Sequence, residues 1–186
     1  MKIFAALLLF LISAFGVIAT DFDLGTNGIV SITPPENWTV RGKAVAQPGG
    51  KLLGFTLDIK PSSNATAHTL VTFAYGNPPK MDQAQLRAKV LEVCEKFVAE
   101  SVEKKKNLKD FTIKGGLGAY CVFTDASLVG KQPDPGDYKV MGSGMVQFSS
   151  GLVGAVTLYA DDANGKEFKA MLEAINSMRL KAKEAK

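Results

Sequence analysis

The chain has 186 residues, a formal net charge of +4, one histidine and two cysteines. So mild a charge gives no electrostatic case for nucleic acid or a strongly acidic partner, and two cysteines are too few for a disulfide-framework fold. Its length fits one domain whose hydrophobic core carries the stability.

Met1-Lys2 opens the chain, an apolar stretch runs from Ile3 to Phe15, and Gly16-Val17-Ile18-Ala19 closes it with small and β-branched residues. A charged start, an apolar run and a small-residue site have the form of a secretory signal. The stretch is short for a membrane span, which needs about 20 residues, although an uncleaved anchor is the rival reading. We expect cleavage after Ala19, so that 1–19 is a signal peptide and 20–186 a single α/β domain, exported and soluble in the periplasm or outside the cell. Lys2 is the leader's only charge, so its removal leaves a net +3. The only cysteines, Cys94 and Cys121, lie far from the leader, which argues against a lipid anchor.

Gly28–Ile32 reads as a strand, and Pro34-Pro35-Glu36-Asn37 as a turn into a short extended segment, Trp38–Val40. Residues 41–51 read as a turn. Leu53, Phe55, Leu57 and Ile59 alternate with Gly54, Thr56, Asp58 and Lys60, the period of a strand buried on one face. The segment from Thr69 to Tyr75 has apolar residues at both parities, which predicts a central strand covered on both sides. Asp82 with Gln85 forms a capping box and Met81 can staple against Leu86. The helix that follows points Leu86, Val90, Cys94, Phe97 and Val98 inward, and it is expected to stop beyond Glu103, where Lys104-Lys105-Lys106 offset its dipole. Strands are expected at 111–114, 119–124, 139–148 and 153–159. Asn164 with Glu167 is expected to cap a last helix with Phe168, Met171, Leu172, Ile175 and Met178 inward, followed by a lysine-rich tail. The sum is an α+β fold, an antiparallel sheet of about six or more strands packed between two amphipathic helices as an α/β/α sandwich.

The motifs that could carry chemistry are thin. His68, the one histidine, sits at a strand edge, where a structural or solvent-exposed role is the plain reading, and one histidine with two separated cysteines cannot furnish a zinc set without recruiting carboxylates. Met141-Gly142-Ser143-Gly144-Met145 lacks the first glycine of a nucleophile elbow and lies in a strand pattern. In Gly116-Leu117-Gly118 a dinucleotide fingerprint begins, but Cys121 stands where its third glycine belongs. Asp162-Ala163-Asn164-Gly165 resembles part of a calcium loop whose first and twelfth positions would be Ala160 and Met171, which cannot ligate. No catalytic residue, metal ligand or cofactor is therefore assigned. Asp134-Pro135-Gly136-Asp137 reads as turn chemistry. Lys104, Lys105 and Lys106, with Lys109 and Lys114, form a basic patch that reads first as a solvated helix end and second as a site for anionic partners. Trp38 is a core plug or an exposed binding aromatic. Asn37-Trp38-Thr39 and Asn64-Ala65-Thr66 are glycosylation sequons, relevant only in a eukaryote.

Cys94 lies on the inward stripe of the first helix and Cys121 on the strand of the following hairpin, so the two can meet. A disulfide needs Cα atoms within about 4.4–6.8 Å, reached only where a helix packs closely on a sheet, and the alternative is two buried thiols filling core space.

The strand, proline turn and tryptophan of Ile32 to Trp38, the late strand Val153-Gly154-Ala155-Val156-Thr157-Leu158 and the closing helix ending Ile175-Asn176-Ser177-Met178-Arg179-Leu180 resemble, in order, the PsbP-like and DcrB-like small exported domains. That resemblance implies an α/β/α sandwich and an accessory or binding protein without a common catalytic site. Many bacterial members are lipoproteins, whereas the lipid-attachment cysteine is missing here. The expectation is therefore a non-catalytic exported accessory or binding protein whose partner is an unidentified protein or small ligand, with no nucleic acid and no stable membrane anchor. The rivals are a carboxylate-dependent hydrolase built on Asp134, Asp137 or Asp161, and a peripheral envelope-surface protein binding anionic partners through its lysine-rich helix end.

Overall fold

A computed structural model describes residues 18–62, 66–76 and 78–183. The expected leader up to residue 17, and Asn64 of the second sequon, lie outside the described residues. The chain is α+β, with a seven-stranded antiparallel sheet, a three-stranded sheet and two α-helices among the described residues.

β1 (Thr20–Asp23) and β2 (Ile29–Ile32) pair antiparallel and begin the smaller sheet. β3 (Trp38–Ala46), β4 (Leu52–Pro61) and β5 (Ala67–Ala74) form the first meander of the large sheet. Helix α1 (Gln83–Val98) then leads to the short β6 (Lys109–Asp110) and a second meander of β7 (Gly116–Thr124), β8 (Val140–Phe148) and β9 (Val153–Ala160). β5 pairs with β9 and joins the meanders, giving the order β3-β4-β5-β9-β8-β7-β6. After α2 (Lys166–Ser177) the chain adds β10 (Arg179–Lys181) beside β2, so the smaller sheet runs β1-β2-β10.

Alternation along each strand divides the buried residues into two groups, because neighbouring side chains leave opposite faces. Tyr120 and Val122 of β7 join Leu57, Ile59, Val71, Phe73, Val156 and Leu158 in the larger core, which includes Val30 and Ile32 of the smaller sheet and Phe168, Met171 and Ile175 of α2. Ala119, Cys121 and Phe123, the alternate residues of β7, instead pack with Leu86, Val90 and Cys94 of α1. Gly144 has no room for a side chain on the larger-core side, since a Cβ there would run into the Ala119 carbonyl and Tyr120. The glycines of Gly142-Ser143-Gly144 thus make space within the sheet, as a strand reading requires.

The capping box at the start of α1 is complete. The Asp82 carboxylate accepts from the Gln85 amide at 2.8 Å and the Asp82 amide donates to Gln85 Oε1 at 3.0 Å.

Elsewhere the structure corrects the expectations. β3 continues to Ala46, so only residues 47–51 turn, closed by Gln47 donating to the Lys51 carbonyl. Helix α1 stops at Val98, well short of Glu103, and Ser101 bridges to Asp125 instead. The Ser101 hydroxyl donates to the Val98 carbonyl and so serves an otherwise unbonded helix end. At α2 the cap position is Gly165, with no side-chain cap, in place of Asn164.

The last helix also ends earlier than its apolar pattern suggests. Ser177 Oγ donates to the Ala174 carbonyl at 2.7 Å and accepts from the Thr33 amide at 2.9 Å, while Met178 turns extended and is fully buried. The residues read as a tail therefore begin with a strand. Finally, β5 is covered on one face only. Ala67, Thr69, Val71 and Phe73 are buried, whereas Thr72 and Ala74 are exposed and His68 and Leu70 half-exposed.

Two substitutions separate local from tertiary contributions. Asp82→Ala removes the cap and is expected to cost about 1 kcal/mol. Met171→Ala opens a cavity in the larger core and is expected to cost about 2–5 kcal/mol. Urea unfolding followed by circular dichroism measures both as shifts in midpoint.

Candidate functional site

One helix cannot cover this sheet. With strands about 4.8 Å apart, seven strands span about 30 Å, against a helix diameter of about 10–12 Å. Helix α1 packs on β7 and β8, where Ala119 and Cys121 are small enough for close approach and the Cys94 thiol donates to the Ser143 carbonyl at 3.5 Å. Polar contacts hold its first turns over that end of the sheet. Buried Gln147 donates to the Met81 carbonyl at 2.8 Å and accepts from the Met81 amide at 3.1 Å. Asp110 accepts from Arg87 at 2.6 Å and from Gln83 at 2.9 Å. Among the described residues no helix covers the same face over β5 and β9.

A cleft of about 700 Å³ opens where the covered and bare halves meet, and its size falls within the usual range for small-molecule sites, about 300–1,000 Å³. Its floor comes from strand register. His68 lies opposite Tyr159, Tyr159 opposite Met141, and Met141 opposite Phe123, so four side chains line up across β5, β9, β8 and β7. Leu70 adds to the floor from β5. One wall is the end of α1 and the residues just beyond it, with Phe97 against Phe123 at 5.6 Å between ring centroids, followed by Glu100 and Ser101. The other wall is the connection between β7 and β8, which contributes Asp125, Ser127 and Leu128 and then Gly136–Lys139. Tyr138 stacks on Tyr159 with centroids 5.4 Å apart and planes 25° apart.

The polar groups are arranged around this aromatic floor. His68 Nε2 lies 2.9 Å from Asp58 Oδ1, so the one histidine is a half-buried partner of a carboxylate at the cleft's edge. Burial pushes the Tyr138 phenol above its ordinary pKa, and the negative charges of Asp161 and Asp58 push in the same direction. Asp125 is held below the usual carboxylate range by its hydrogen bonds with Ser127, assisted by Lys131.

Of the carboxylates considered for hydrolysis, Asp137 lines the cleft, whereas Asp134 and Asp161 lie outside the lining. Among the described residues, no three His, Cys, Asp or Glu side chains gather in a way that could hold a metal ion. His68 has no hydrogen bond to a hydroxyl or thiol there.

Trp38 is half-buried and packs on the larger core, on the face of the sheet opposite the cleft. Asn37 is exposed in a left-handed turn conformation. The lysine cluster is partly committed within the chain, since Lys104 Nζ donates to the Ala99 carbonyl at 2.6 Å and Lys106 pairs with Glu95, leaving Lys105 exposed.

Cys94 and Cys121 do meet, but as two free, fully buried thiols. Sequence reasoning gave Tyr138, Tyr159 and Glu100 no role, and it placed Phe97 and Met141 only as helix and strand residues. Their convergence depends on the registers that set Tyr159 opposite Met141 and Met141 opposite Phe123, and on the contacts of Tyr138 with Tyr159 and Phe97 with Phe123, which local pattern does not reveal.

Comparison with protein-family models, with curated proteins and with solved structures gives no match. Among the described residues no helix is long and apolar enough to cross a membrane.

The thiols give a pH-dependent prediction. Burial, then the neighbouring Cys94, pushes the Cys121 thiol up to about 12 from an ordinary value of 9.0. A group whose pKa is raised on folding contributes its full stability below the unfolded value and loses it as pH rises through the folded one. Reduced protein should therefore keep this contribution below pH 9 and lose it progressively towards pH 12. Iodoacetamide at pH 8 should label neither cysteine in the folded state and both after unfolding, as counted by intact mass.

Proposed function

We propose that this protein is an exported, non-catalytic accessory or binding protein of the PsbP-like and DcrB-like type, and that it takes a small amphipathic ligand in the cleft beside α1. In this reading the large sheet is the middle layer of an α/β/α sandwich, with α1 on one side and α2 with the smaller sheet on the other. The observation that carries the reading is the cleft itself. Leu70, Tyr159, Met141 and Phe123 from β5, β9, β8 and β7 make a largely apolar floor with Phe97 of α1 beside it, and His68 and the loop carboxylates add a few polar groups. Pockets that bind small molecules commonly combine an apolar lining with a few placed polar groups.

The hydrolase reading draws less support, because of its three carboxylates only Asp137 lines the cleft. The anionic-surface reading rests on lysines of which two are already engaged within the chain.

Leu70→Trp places a large ring in the floor from a half-exposed position. A fragment screen followed by amide NMR should show shifts centred on Tyr138, Met141 and Tyr159 in the parent protein and none in the variant at equal ligand concentration. Hits that shift both proteins alike, or that map to the opposite face, would remove the cleft as the binding site.

Export is tested separately. Protein recovered from the native host's exterior or periplasm should have Thr20 as its first residue by intact mass, whereas an intact Met1 in the membrane fraction contradicts the reading.

A further inference from the structure

The cleft has a charge opposite to that of the protein that carries it. The chain is net positive, yet Glu100, Asp125 and Asp137 line the cleft against Lys139 as the one lysine, with the His68–Asp58 pair at the edge. Of the other basic residues, Lys96 sits over the Phe97 ring with Nζ 4.8 Å from its centroid and Lys131 lies near enough to Asp125 to help lower its pKa, but neither lines the cleft. Arg41, Lys43 and Lys60 are on β3 and β4 towards the far edge of the sheet, and Lys104 and Lys106 are tied to Ala99 and Glu95. Asp58 is shared between His68 and Lys60. Asp161, whose charge acts on Tyr138, keeps one buried carboxylate oxygen without a hydrogen-bond partner among the described residues.

The aromatic groups have the matching chemistry. Tyr138 and Tyr159 stack on each other, and Phe97 and Phe123 stand on the far side of Met141. A cation over an aromatic face is attracted by the ring's quadrupole, more strongly when water is partly excluded. An anion would meet the carboxylates with only one lysine to receive it, and a neutral apolar ligand would leave the rim charges unused.

We propose that the cleft's occupant is an organic cation, a protonated or quaternary amine on an aromatic or aliphatic body, with the apolar body on the floor and the charge between the tyrosines and the rim carboxylates. This rests on the cleft being the binding site and adds the chemical class of its ligand.

The test uses three small probes of similar body and different charge, namely benzyltrimethylammonium, benzyl alcohol and benzenesulfonate, each titrated at millimolar concentration in low salt and followed by amide NMR. Benzyltrimethylammonium should bind tightest, with shifts at Tyr138, Met141 and Tyr159, and should weaken as salt screens the rim. Tyr138→Leu, and separately the double change Glu100→Gln with Asp137→Asn, should each weaken it by about fivefold to thirtyfold. Lys105→Gln should leave it unchanged. The changed carboxylates are exposed, so an otherwise unaltered amide spectrum establishes that the variants fold. Equal or tighter binding of benzyl alcohol or benzenesulfonate at the same residues overturns the cation assignment while the cleft survives as a binding site. No cleft shifts with any of the three overturns both.

Discussion

The close seating of α1 on β7 and β8 is the contact on which the rest of the arrangement depends. It requires small side chains at the contact, and Ala119, Cys121 and Ser143 provide them. It also requires an anchor for the incoming chain, which the Gln147 amide supplies by bonding both the carbonyl and the amide of Met81. A buried amide that satisfies donor and acceptor together fixes position as well as energy, because moving the helix would leave buried polar groups unpaired. With the helix set over one end, the strands beyond it form an open floor and the helix terminus becomes a wall. The cleft is a boundary between two halves of one sheet face.

Features governed by near neighbours were legible in the sequence. The Asp82–Gln85 box and the stripe of Leu86, Val90 and Cys94 are written within a few turns of helix, and the alternation from Leu53 to Ile59 states which face of β4 is buried. Features set by distant pairing were not. Arg179-Leu180-Lys181 is too short to show a period, and only its pairing with β2 makes it a strand. The lysines suggest a terminus for α1 that lies too far along the chain, whereas the bridge between Ser101 and Asp125 decides where the chain leaves the helix.

Residue Leu70 shows how a correct signal can carry the wrong cause. Apolar residues at both parities of β5 suggest coverage by a second layer. Val71 and Phe73 are indeed buried in the larger core, but Leu70 faces the bare half of the sheet and lines the cleft. A single apolar residue on an open face says little, and Leu70 is informative because Phe97, Phe123, Met141 and Tyr159 continue its surface into one patch. The tyrosines give a similar lesson. Tyr138 belongs to a connection rich in Gly, Pro and Asp, and nothing nearby in sequence indicates that it stacks on Tyr159.

The smaller sheet ties the first described strand to the last. β2 is held between β1 and β10, and the ion pairs Lys181–Asp21 and Lys183–Asp23 join residues 160 positions apart. Pairings between such distant segments form late and slow the search for the native state. Val30 and Ile32 of β2 belong to the larger core together with Met171, Ile175 and Met178. That core therefore stays incomplete until α2 and β10 arrive, so a molecule emerging from a ribosome remains unlatched, and open to chaperones or proteases, until Arg179–Lys181 is free to pair with β2.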